Sequence, residues 1–114
     1  MSATRVNTAP VLVTMSVPEL LVRLEADIYY GCHSTRAEAS RSFARKELRH
    51  RGEKAIAAIV VRLQEMAEQP LEDECKKSVR DGLALTLYWM TSSETRRTLS
   101  PKISEILERA LLSR

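Results

Sequence analysis

The sequence predicts an all-α protein, and three observations carry that expectation. Ala, Leu, Glu, Arg and Lys dominate, while only three Gly and four Pro occur in the 114 residues, Gly31, Gly52, Pro18, Pro70 and Pro101 among them at boundaries of periodic runs. Two Ser/Thr-x-x-Glu boxes each stand at the head of such a run. The stretch 78–90, SVRDGLALTLYWM, is the most apolar in the chain and holds its only Trp. Val79, Leu83, Thr86, Leu87 and Met90 share one helical face there, with Cys75, Gly82 and Trp89 on an adjacent one. A helix apolar on more than one side is a central helix. The expectation is about five antiparallel helices packed around it.

Taken in order, residues 1–14 lack helical period and read as a flexible N-terminal tail, with residues 11–13 as an apolar patch able to dock. Residues 15–114 read as a single helical domain. Its first helix opens at Ser16-Val17-Pro18-Glu19, where the Ser hydroxyl and the Glu side chain can satisfy each other's backbone amides. Met15 and Leu20 are placed to staple that start. Val17, Leu20, Leu21, Leu24 and Ile28 give the stripe, and Gly31 is the expected left-handed stop. A second box, Thr35-Arg36-Ala37-Glu38, opens the next helix, which runs to Gly52. Its core face is thin: Ala37, Ala44 and Leu48, with Phe43 to one side.

The third helix is expected from about Glu53 to Glu68, on Ile56, Ile59, Val60, Leu63 and Ala67. Gln69-Pro70 breaks it. The central helix follows, from about Glu72 to Thr91, with Glu72–Lys76 and Asp73–Lys77 as acid-first pairs. Residues 91–99 form a polar link with room for a short helical turn. Ser100-Pro101 starts the last helix, whose stripe is Ile103, Ile106, Leu107, Ala110 and Leu111.

This pattern resembles HEAT-like helical repeats. Ala44 through Leu48, then Gly52-Glu53-Lys54-Ala55-Ile56 and Leu63, look like the end of an outer helix, a turn and an inner helix. Val79-Arg80 with Leu83, Ala84 and Leu87 is similar to the next outer helix, and Ser100-Pro101 through Leu107 to its inner helix. The resemblance covers residues 36–112, with equivalent starts at 53 and 101, 48 residues apart, and at 17 and 53, 36 apart. It implies a short helical stack acting as a binding scaffold; a compact five-helix bundle is the alternative.

Composition narrows the function classes. Hydrophobic residues at 44% and charged residues at 29% are ordinary for one globular domain. Aromatics at 4% leave no platform for stacking bases. No run approaches ~18 apolar residues, so no membrane span is expected. Residues 11–13 are too short for a signal-peptide core, and the expected location is cytoplasmic. Cys32 and Cys75 lack metal-ligand spacing; the expectation is two reduced thiols, with a disulfide as the alternative. No phosphate loop, GxSxG or HExxH is present. Cys32-His33 invites a nucleophile reading, but sequence neighbours rarely point at each other. The acidic run Glu65, Glu68, Glu72, Asp73, Glu74 lacks the spacing of a calcium loop and reads as a solvated face near helix starts. No catalytic residue, metal or cofactor is expected, and the chain reads as non-enzymatic.

The net charge of +3 is unevenly spread: residues 36–54 hold seven Arg/Lys against three Glu. Arg41, Arg45 and Arg49 are spaced i, i+4, i+8 for one helix flank, with Lys46 beside them. Like charges at that spacing repel by about 0.2–0.5 kcal/mol per pair. An anionic partner turns that repulsion into affinity; the competing reading is a solvated face. Arg96, Arg97 and Lys102 form a second basic cluster. Leu85 and Tyr88 are expected on the exposed side of the central helix as a protein contact. The favoured partner is another protein with an acidic surface; the alternative is nucleic acid, with the same arginines on phosphates. The sequence leaves the oligomeric state open.

Overall fold

The computed structural model describes residues 12–31, 35–70 and 73–112. Among them the fold is all-α, with seven helices and no strand: α1 (Val17–Tyr30), α2 (Thr35–Arg41), α3 (Phe43–Arg51), α4 (Glu53–Ala67), α5 (Glu74–Met90), α6 (Ser93–Arg97) and α7 (Pro101–Leu112). Two differences from the expected five explain the count. The link 91–99 contains a real helix, α6, capped by Ser92. The expected second helix is two helices, broken at Ser42.

Ser42 breaks the run because its backbone leaves the helical region, with φ −62° and ψ 126°. Its side chain then has two uses. The hydroxyl accepts from the Arg45 amide at 3.3 Å, capping α3, and donates to Asp27 Oδ2 on α1 at 2.8 Å. Ser42 is buried, so both bonds are made away from water. Ser42→Ala therefore lowers stability by about 1–2 kcal/mol, measured as a lower urea midpoint with an unchanged slope.

α1 starts as its capping box requires. The Ser16 amide donates to Glu19 Oε1 at 2.7 Å, and the Glu19 amide to Ser16 Oγ at 3.3 Å. These bonds from Ser16 hold the Glu19 carboxyl below its ordinary range. The stop is not left-handed: Gly31 has φ −117°. A Cβ there would run into the Glu38 side chain of α2, which would have to swing aside. Gly52, at φ 65°, does take the conformation that favours glycine.

The core is continuous. Leu20, Leu24, Ile28, Leu48, Ile59, Leu63, Leu83, Leu87 and Ile103 are fully buried. α5 is its hub, packed by α1, α2, α4 and α7. The radius of gyration is 14.0 Å, close to the ~13 Å expected of a compact chain of this length. Gly82 lets α1 approach α5, because a Cβ there would overlap Ile28 Cδ1.

Three further findings concern the ends and links. Leu12, in the expected tail, lies in a helical turn at residues 12–14 and is 3% exposed. Arg51 ties it down, donating to the carbonyls of Leu12 at 3.2 Å and Val13 at 3.0 Å while paired to Glu47. The expectation for residues 1–11 lies outside the described residues. Cys75 is disulfide-bonded, contrary to the expectation of reduced thiols. Tyr29 reaches Asp73 Oδ2 at 3.4 Å, bringing the end of α1 to the start of α5; Cys32 lies outside the described residues.

Candidate functional site

The last turn of α5 receives two arginines from other elements. Tyr88 and Trp89 are successive residues there, so their rings leave the helix in different directions. Each carries an arginine from another element. Arg45 of α3 places its guanidinium carbon 5.5 Å from the Trp89 ring centroid. Arg96 of α6 places its own 4.1 Å from the Tyr88 centroid. Both are within the range of a cation–π attraction, worth about 0.5–2 kcal/mol depending on burial.

Arg96 also closes the helix end. Its Nη1 donates to the Tyr88 carbonyl at 3.0 Å, to the Thr91 carbonyl, and to Thr91 Oγ1 at 3.3 Å. The C-terminus of a helix carries unsatisfied carbonyls and partial negative charge, so a cation there is stabilised twice over. Arg96 is thus a positioning residue, half-buried and held. Arg45 is also half-buried. Burial first, then the charge of Arg49, lowers the pKa of its guanidinium.

Exposed charges adjoin each of these two in sequence. Arg49 and Lys46 are exposed on α3, and Arg97 is exposed beside Arg96. Lys46 lies 5.1 Å from the Phe43 ring centroid. Phe43, Lys46 and Arg49 sit at i, i+3 and i+6, so an apolar ring and two cations follow each other along one exposed arc of α3.

Arg41 is not on that helix. The break at Ser42 leaves it at the end of α2, paired with Glu38, so the single flank of Arg41, Arg45 and Arg49 does not exist. Lys102 belongs to a separate cleft with Arg80, Glu105 and Arg109, where Arg109 reaches Glu105 at 3.7 Å. Leu85 is 3% exposed and forms no surface pair with Tyr88, because α5 is enclosed by neighbours on several sides. Tyr88 is half-buried beneath Arg96.

Three members of the acidic run have local partners. Glu65 pairs with Arg62 at 3.3 Å, Glu74 with Lys77 at 3.2 Å, and Asp73 caps α5 through the Cys75 amide at 2.8 Å. Lys77 therefore pairs with Glu74 and not with Asp73, whose oxygens serve the helix start. Glu72 and the Cys32-His33 dipeptide lie outside the described residues. Arg62 makes a fork to Glu25 at 2.8 and 3.0 Å, which raises its pKa and clips α4 to α1.

A second cleft of about 400 Å³ opens beside the α3 arc. Leu12, Ala26, Tyr30, Phe43 and Ala44 supply its apolar walls. Tyr30 is 85% and Phe43 58% exposed. The carboxylates at its edge are engaged: Asp27 accepts from Ser42 and faces Arg23 at 3.8 Å, and Glu38 holds Arg41. Sequence periodicity marked Phe43 only as off the core face, and gave Leu12 to the tail.

No helix among the described residues is long and apolar enough to cross a membrane. Compared with protein-family models, curated proteins and solved structures, the chain finds no match.

Proposed function

We propose that this chain is a non-enzymatic helical interaction module that binds an acidic surface of another protein. One observation carries the reading. Basic residues about fifty positions apart in sequence, Arg45 and Arg96, each lie against one of two successive aromatic residues of α5. Aromatic support fixes each guanidinium, so less side-chain freedom is lost when a carboxylate arrives. Lys46, Arg49 and Arg97 are exposed close in sequence to these two arginines and would speed encounter with an acidic partner. A short HEAT-like stack would present such a face as a scaffold. The disulfide at Cys75 favours an oxidising compartment over the cytoplasm.

The test replaces Lys46, Arg49 and Arg97 together by Ala. All three are exposed, so the fold should be retained, which circular dichroism checks. Binding of an Asp/Glu peptide should weaken about tenfold or more, mostly through a slower association rate. A DNA duplex tested in parallel should bind weakly at physiological salt. If the duplex binds tightly, and the triple variant flattens the log-affinity against log-salt slope by about two to three units, the residues read phosphates instead. If the variant matches wild type in both assays, the face is only solvated.

A further inference from the structure

The proposal above specifies a charge; the cleft next to the basic arc adds a shape. The cleft is about 400 Å³, within the range that seats a side chain or short segment. Two of its walls, Tyr30 and Phe43, are exposed apolar surfaces, and the ring of Phe43 lies under Lys46 of the basic arc. A third wall, Leu12, is fixed by the Arg51 hydrogen bonds to its own and the next carbonyl. The floor is fixed by the Ser42–Asp27 bond between α3 and α1. The site is therefore preformed, and its own carboxylates are engaged within the protein.

An apolar recess that runs into cations has the anatomy of a protein contact, with an anchor pocket beside a polar rim. Solvated phosphates need only the cations. Carboxylates flanking an apolar side chain need both. We infer that the partner segment is acidic and carries one apolar anchor: the anchor enters the Tyr30–Phe43 cleft, and the carboxylates run along Lys46 and Arg49 toward the end of α5. This rests on the acidic-partner reading and deepens it.

The test uses two synthetic peptides of alternating Asp and Glu, identical except for one central residue, Phe or Ser. Fluorescence polarisation measures both on the full chain and on Phe43→Ser and Tyr30→Ser variants. Wild type should bind the Phe peptide about tenfold to a hundredfold tighter than the Ser peptide. Phe43→Ser should erase that difference, so that the Phe peptide binds no more tightly than the Ser peptide. Tyr30, at 85% exposed, gives a variant that keeps its fold, so the question stays decidable if Phe43→Ser does not.

No gain from Phe in wild type, with both peptides bound, overturns the anchor while the basic face stands. A gain that survives both folded variants places the anchor elsewhere and also overturns it. Failure of both peptides to bind removes the acidic-partner reading itself. A duplex of matched charge binding more tightly than the Phe peptide would give the surface to nucleic acid.

Discussion

Leu83→Ala lowers the unfolding free energy by about 2–5 kcal/mol. Leu83 is 0% exposed and sits in the middle of α5, the helix that α1, α2, α4 and α7 all pack against. Truncation there removes the transfer free energy of the lost methyl groups and leaves a cavity. Relaxation can fill that cavity only by moving helices that also pack on each other. The unfolding midpoint should fall by about 10 °C or more, read by thermal melting at constant pH. A midpoint within a degree or two of wild type would mean that α5 is not the hub. An exposed valine such as Val61 serves as the control, because its replacement by Ala should cost little.

The second large effect comes from adding atoms. Gly82→Val should destabilise by about 1–3 kcal/mol or more. A Cβ at Gly82 overlaps Ile28 Cδ1, and the remaining contacts, at 3.1 Å to Cγ1 and 3.2 Å to Cγ2, are also tight. Ile28 is fully buried, so its end has little room to swing. Against this stands the helix propensity gained on leaving glycine, about 1 kcal/mol for Ala and less for Val. The clash wins for Val and is nearly balanced for Ala. A double-mutant cycle separates the two terms. Ile28→Val alone should cost about 0.5–1.5 kcal/mol. In the Gly82→Ala background the same change should be neutral or stabilising, because it removes the overlapping atom. Additive costs would show that Gly82 is not where α1 and α5 touch.

Much of the fold was legible because it is local. Ser16 and Glu19 make their reciprocal bonds three residues apart, and the helix that Pro101 opens is capped by the neighbouring Ser100, whose hydroxyl accepts from the Ile103 amide at 3.3 Å. The stripes of α1, α5 and α7 were legible for the same reason, since a helix buries what it repeats; in α4 the buried face is Ala55, Ile59, Leu63 and Met66, and the expected Ile56, Val60 and Ala67 are only partly buried beside it. Ser42 shows where local reading fails. Its position in a helix-favouring run suggested continuity, and the break is stabilised by Asp27, fifteen residues away on another helix. Leu85 fails for a related reason. Periodicity gives its rotation on α5 but not how many neighbours enclose that helix.

The candidate site was half legible. Arg45, Lys46, Arg49, Arg96 and Arg97 were visible as two charge clusters, because clustering is a property of sequence. That Arg45 and Arg96 lie against Trp89 and Tyr88 was not, because it depends on where α3 and α6 lie relative to α5. Arg41 was grouped with them by a spacing that holds only if the helix is unbroken. The Tyr30–Phe43 cleft was not visible at all. Its third wall, Leu12, comes from a segment with no helical period, held in place by one side chain of α3.

The most direct test of the central claim uses Trp89. It is the chain's only tryptophan, and Arg45 lies against its ring. A titration with the Asp/Glu peptide carrying one central Phe, followed by the indole N–H signal and the backbone amides, reads the proposed surface directly. The account predicts saturable shifts at Trp89, Lys46, Arg49, Arg96 and Arg97, and none along the exposed side of α7. Saturable binding that leaves Trp89 and α3 unmoved, or shifts centred on Arg80, Lys102 and Arg109, would contradict it.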